Sequence, residues 1–233
     1  MNRFIKTGIL AVSLSAAVPA LAGDTVSEEA VGWTPVELSL ASPVALPYGI
    51  NKWDVFGLGI GLFYIDTPKM YGLDIGGATT TRDLAIGLIV GGLFNYAGAD
   101  VYGLRASLGP NFCNATAYGM DAGLFGYHRN IVGLDVEFLG CVQERMTGVL
   151  IGGIVNLTEQ ETCGVTIAGG VNLAKVAYGA QIAGVFNQTD ELHGFQLGLV
   201  NFAKECPFGF QLGLVNIIMD NTVKVLPIVN GYF

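Results

Sequence analysis

The side chains of this chain best able to do chemistry are two histidines, four cysteines and a few neighbouring carboxylates. His128 lies in Gly126-Tyr-His-Arg-Asn130, and His193 immediately precedes Gly194. Either is the kind of group that serves as a general base, with Asp121 or Asp190 as carboxylate partner. Set between apolar runs, both read more simply as exposed or turn histidines. Glu159/Glu161 and Asp190/Glu191 are sequence neighbours in polar connectors, which is poor geometry for paired acid–base work. Gly57-Leu-Gly-Ile-Gly61 lacks the G-x-G-x-x-G spacing of a nucleotide loop and the helix that must follow it. No G-x-S-x-G elbow occurs. The sequence therefore predicts no catalytic residue and no cofactor, and the chain reads as a non-enzyme.

Residues 1–22 have the form of a signal peptide. Arg3 and Lys6 precede an apolar stretch, and Ala20-Leu21-Ala22 fits a small-x-small cleavage site. Losing those two cations takes the formal charge from −8 to −10. An acidic exported chain lacks the basic surface that nucleic acids need. Export also exposes cysteines to an oxidising compartment, so Cys113, Cys141, Cys163 and Cys206 are expected to form disulfides. Three pairings are open, and sequence does not choose among them. No two cysteines have the tight spacing of a zinc site, so no metal is expected.

The elements that must position these residues come from a repeat. GFQLGLVN stands at Gly194–Asn201 and again at Gly209–Asn216, and weaker copies begin at Gly57, Gly72, Gly87, Gly103, Gly119, Gly133, Gly148, Gly164 and Gly179. The period is about 15 residues, which is the signature of a stacked or closed array. With 34 glycines, 52% apolar and 13% charged residues, the chain is neither disordered nor helical.

Within each copy, written Gly-b-c-d, columns b and d are aliphatic or aromatic throughout, while column c is mostly polar. Alternation of period two is a strand with one wet and one buried face. Columns b and d are therefore expected inside. Column c, including Asp121, Asp135, Thr166, Gln181, Gln196 and Gln211, is expected on an exposed face available to a partner. Asparagine closes the phrase at Asn95, Asn156, Asn172, Asn187, Asn201, Asn216 and Asn230, either as turn chemistry or as an amide ladder between copies.

Two all-β architectures satisfy this pattern. In a β-solenoid each period is one coil, and equal connectors are the natural outcome. In a 12-stranded antiparallel outer-membrane β-barrel each period is one strand, and a terminal Phe233 fits. The apolar strand core of about eight residues is shorter than the roughly 9–11 that a spanning strand needs, so the solenoid is preferred. The domain reading is a signal peptide at 1–22, a leader and cap at 23–53, and a β-repeat domain at 54–233. Val36–Ala41, within the leader and cap, alternates and is expected to be a first strand.

The phrase GFQLGLVN, closing on LPIVN, resembles the bacterial surface-repeat proteins built from G-[LVF]-Q-[LI]-G-[LG]-[LVF]-N units. The resemblance covers roughly Val55 to Phe233 and is thin at Gly103–Gly140, where Arg105, Pro110 and Glu137 depart from it. It implies export and a place at the cell surface, outer membrane or periplasm, and it carries over no ligand. The functional expectation is a non-enzymatic envelope protein with a structural or binding role toward a protein or glycan. The alternative is a small pore, with membrane contact, if the barrel forms.

Overall fold

The computed structural model describes residues 30–232. Residues 1–22, expected from the sequence to be a signal peptide, most of the acidic leader and Phe233 lie outside the described residues. The fold is a β-solenoid of stacked parallel coils. The strands are β1 Gly32–Ala41, β2 Val44–Leu46, β3 Trp53–Ala97, β4 Val101–Ser107, β5 Pro110–Gly152, β6 Val155–Ala168, β7 Val171–Ala183, β8 Phe186–Leu197, β9 Val200–Ile218 and β10 Val225–Gly231. They form one sheet in the order β10-β9-β8-β7-β6-β5-β4-β3-β1-β2. The long elements β3 and β5 each carry three of the repeat glycines and run through successive coils without a break.

Equivalent residues of successive copies sit directly over one another. Gly179 pairs with Gly194 and Gln181 with Gln196. Gly194 in turn pairs with Gly209 and Asn187 with Asn201. The barrel alternative is thereby corrected, because successive copies run parallel rather than up and down. Among the described residues, antiparallel pairing occurs only where β2 meets β1 and β10 meets β9, at the two ends of the stack. An antiparallel strand at each end replaces the open edge of a parallel ladder, which is a template for adding further chains.

The repeat glycine is imposed by geometry. From Gly57 to Gly209 every glycine of the column has a positive φ. A Cβ at Gly179 would lie 2.1 Å from the carbonyl oxygen of Gly164, and the same collision recurs along the column. No side chain fits, so this edge of the coil is bare backbone. At the opposite corner, the two spellings of the repeat both place a bend between strands, at Gly184-Val185 and at Gly198-Leu199. A further register shift between Thr158 and Glu161 turns the third corner, beside the charged connectors.

The expected sense of the strands is inverted. Asp121, Asp135, Thr166, Gln181, Gln196 and Gln211 are all buried, not exposed. Columns b and d point outward, with Ile60 44%, Leu104 48% and Leu212 38% exposed. Two physical features explain this. A column of identical amides stacked about 4.8 Å apart can satisfy its own hydrogen bonds, so it is cheap to enclose. An outward aliphatic in register covers the flanks of its neighbours, so it keeps only part of its surface wet.

Candidate functional site

Four inward positions recur in each coil. In the coil of β7 and β8 they are Gln181, Asn187, Thr189 and Leu192, all buried. The first position makes a glutamine ladder. Gln211 Nε2 donates to Gln196 Oε1 at 2.8 Å, and Gln196 Nε2 donates to Gln181 Oε1 at 2.7 Å. The second makes an asparagine ladder, from Asn156 through Asn172, Asn187 and Asn201 to Asn216, with links of 2.8–3.0 Å. Each of these donors also holds a backbone carbonyl of the next coil, as Asn187 Nδ2 does Leu197 O at 2.8 Å. Of the two roles open to asparagine, the ladder is the one formed.

Both ladders break in the same middle coils. The first column carries Arg105, Asp121 and Asp135. The second carries Asn111, then Gly126 and Cys141 where amides would continue. Cys141 pairs in register with Asn156, whose Oδ1 is left without a donor. The third column carries Cys113, His128 and Gln143, all buried. Glu137 also turns inward, at a corner position that other coils fill with glycine or alanine such as Gly152, Ala168 and Ala183. Its Cγ borders Gly126, its carboxyl lies beside Gly123, and Asn111 Nδ2 lies 3.5 Å from its Oε1.

These residues form one enclosed cluster. Arg105 Nη2 bonds to Asp121 Oδ2 and lies 3.2 Å from His128 Nδ1, while its Nη1 donates to Phe112 O at 2.9 Å. His128 Nε2 stands 3.4 Å from Asp121 Oδ2 and 3.6 Å from Asp135 Oδ2. Ligand atoms of His128, Asp135 and Cys141 all lie within 4.8 Å of one another. His128 Nε2, Asp121 Oδ1, both Asp135 oxygens and Glu137 Oε2 have no hydrogen-bond partner.

Burial sets the protonation of this cluster. It pushes Asp135 up to about 7, with the Asp121 charge adding to the effect, and Glu137 up to about 9, with Asp135 adding. Burial also lowers His128 to about 4 and raises the Cys141 thiol well above its usual range. It works against the charge of Arg105 too, but the surrounding groups, Asp121 first and then Cys113 and Asp135, together outweigh this and the guanidinium pKa is raised.

The sequence-level site residues are thus redistributed. Asp121 and Asp135 belong to the charged cluster, while Thr166, Gln181, Gln196 and Gln211 are interior packing. His128 does meet Asp121, but it is fully buried rather than a turn residue. His193 is half-buried, stacks on Tyr178 at 4.6 Å and contacts Glu191 Oε1 at 2.6 Å. The disulfide expectation is not met: Cys113, Cys141 and Cys206 are buried free thiols, and Cys163 is an exposed one. Cys113 and Cys141 share one interior cluster without bonding, Cys206 lies in another, and Cys163 faces outward. Linear spacing hid the grouping of His128, Asp135 and Cys141, because it arises only when consecutive coils are stacked.

The outer surface offers a second feature. An open groove of about 720 Å³ runs over the bare glycine edge at Gly164, Gly179, Gly194 and Gly209, walled by Phe195 and Phe210. Aromatic rings beside this edge stack on their own neighbours, Phe56 on Tyr71 at 4.4 Å and Tyr102 on Tyr118 at 4.7 Å. No protein-family model, no curated protein and no solved structure matches this chain.

Proposed function

We propose that this chain is a non-enzymatic, exported protein of the cell envelope, a stiff β-solenoid whose outward aliphatic columns bind a partner protein. The outward columns carry this reading. Residues such as Leu93, Leu199 and Leu214 stand at equivalent corners of different coils with 67%, 48% and 68% of their surface exposed. A contiguous apolar surface of that kind is uncommon on a free monomer and marks an interaction site. The connectors on another edge carry the charge, among them Glu144, Glu159, Lys175, Lys204 and Glu205. The cross-section is therefore amphipathic. Ring stacking along the axis occupies the aromatic faces that a sugar would use, which favours a protein over a glycan.

Support for the envelope comes from the residues at 1–22, which have signal-peptide form, and from the resemblance of GFQLGLVN to surface repeats. Cell fractionation of the native host tests the placement, and a Leu199→Lys/Leu214→Lys variant tests the surface. The chain is expected in the envelope fraction. The double variant, with unchanged circular dichroism, is expected to be released from its partner. Recovery of the wild-type chain in the cytoplasm would defeat the placement, and full retention of the variant would defeat the contact surface.

A further inference from the structure

We propose that His128, Asp135 and Cys141 form a buried site for a thiophilic divalent cation, with zinc the best fit, that pins adjacent coils together where the amide ladders fail. The donor set comes first. One imidazole nitrogen, one carboxylate oxygen and one sulfur converge from three different inward columns, with all ligand atoms within 4.8 Å of one another. Mixed nitrogen, oxygen and sulfur donors suit zinc, whose bonds run from about 2.0 to 2.3 Å. The edges of such a tetrahedron are roughly 3.3–3.8 Å long. His128 Nε2 and Asp135 Oδ2 are already 3.6 Å apart.

Gly126 is what lets these atoms converge. The position a Cβ would take at Gly126 lies 2.9 Å from Cys141 Sγ, 2.9 Å from His128 Nε2 and 3.1 Å from Glu137 Cγ. Gly126 stands where the asparagine ladder would have placed an amide, so no side chain separates the donors. Glu137 Cγ borders the same point.

Orphaned atoms point the same way. His128 Nε2 and both Asp135 oxygens are enclosed and unpartnered. Buried polar atoms without partners are costly and call for an explanation. Charge also closes around a divalent ion. Arg105 and Asp121 neutralise one another, and a Cys141 thiolate with an Asp135 carboxylate matches a 2+ charge. Loading releases the thiol proton and the carboxyl proton to solvent. It also takes His128 Nδ1 out of its contact with Arg105, since an imidazole ligated through Nε2 carries its proton on Nδ1. The guanidinium retains Asp121 and the Phe112 carbonyl.

The site has no opening to solvent at His128, which is 0% exposed, so the ion enters as the coils close. The test is to refold the full chain with excess zinc or cobalt, desalt it and measure metal content and the cobalt absorption spectrum. About one ion per chain is expected, with a thiolate-to-cobalt charge-transfer band. Cys141→Ser should abolish that band. Gly126→Ala, which removes no ligand but drives a methyl against Cys141 Sγ and His128 Nε2, should lower metal retention at least tenfold with unchanged circular dichroism. Cys206→Ser, whose thiol lies in a different interior cluster, should retain metal fully. A wild-type chain that keeps no ion overturns the proposal, as does cobalt bound without a thiolate band. If Cys141→Ser fails to fold, the wild-type metal content and the Gly126→Ala comparison decide. None of these readouts depends on where the protein sits in the cell.

Discussion

Replacing Asn187 with alanine should damage this protein more than placing a charge on the neighbouring aliphatic column. Asn187 is fully buried, and all the polar atoms of its amide are engaged. One N–H goes to Leu197 O at 2.8 Å and the other to Asn201 Oδ1 at 2.9 Å, while its own oxygen accepts from Asn172 at 3.0 Å. Asn187→Ala leaves two acceptors and one donor hydrogen enclosed without partners, each costing about 1–3 kcal/mol. Asn172 Nδ2 keeps its second hydrogen on Ile182 O at 2.8 Å, so the loss is confined to these three groups and the net penalty is about 3 kcal/mol or more. Leu197, one residue beyond the buried Gln196, points outward and is only partly covered. Leu197→Asp should therefore cost about 1 kcal/mol or less. Urea denaturation followed by circular dichroism gives both values. Amide exchange should localise the Asn187→Ala loss to the coils around Asn172–Asn216, as expected when stability is a sum of nearest-neighbour terms. If Leu197→Asp unfolds the chain while Asn187→Ala lies within about 0.5 kcal/mol of wild type, the assignment of inside and outside is wrong.

Gly179→Ala combines a left-handed backbone at φ 119° with a Cβ 2.1 Å from Gly164 O, so it should cost about 3 kcal/mol or more in the same denaturation assay; a loss under about 1 kcal/mol contradicts the stacked glycine edge. Glu37 and Asp74 are buried without partners on either side of Gly59. Burial, with Asp74 and Asp66 adding for Glu37, pushes them up to about 8 and about 7 respectively. A carboxyl whose folded pKa exceeds its unfolded value holds a proton the unfolded chain has released, so stability falls as pH rises through that window. His128, lowered to about 4, acts in the opposite sense, but only up to its unfolded value of about 6.5. From pH 6.5 to 8 the urea midpoint should therefore fall, and by less in Glu37→Gln/Asp74→Asn; a midpoint that rises in wild type would refute the assignment. Among the cysteines, only Cys163 is exposed, so a thiol reagent should modify one site on the native chain and four after unfolding; a native mass lower by two or four hydrogens would instead reveal disulfides.

The period, the glycine column and the parallel stack were legible because each is written in residue type at fixed spacing. Only glycine tolerates the edge position, and equal connectors follow from coils that translate along one axis. The sense of the strands was not legible from alternation alone. Period two says that faces differ, and in a thin coil the amide-bearing face can be the enclosed one. Gln181, Gln196 and Gln211 satisfy each other, which a polar residue on an ordinary strand cannot do. The same residues would have disclosed this had their identity, rather than their polarity, been weighed: solvent asks for no particular side chain, whereas a ladder asks for the same one each time. The buried cluster left its own trace. Arg105, Glu137, Gly126 and Cys141 are departures that fall together in the middle copies, but their meeting with His128 and Asp135 needs the stacking of consecutive coils.

Side-chain amide hydrogen exchange, read by nuclear magnetic resonance, tests the enclosed amide columns most directly. After transfer into deuterium oxide, the Nδ2 and Nε2 protons of Asn172, Asn187, Asn201 and Gln196 should persist alongside the protected backbone amides. Their disappearance within the dead time, at the rate of free asparagine and glutamine, would place those side chains in water and contradict the account.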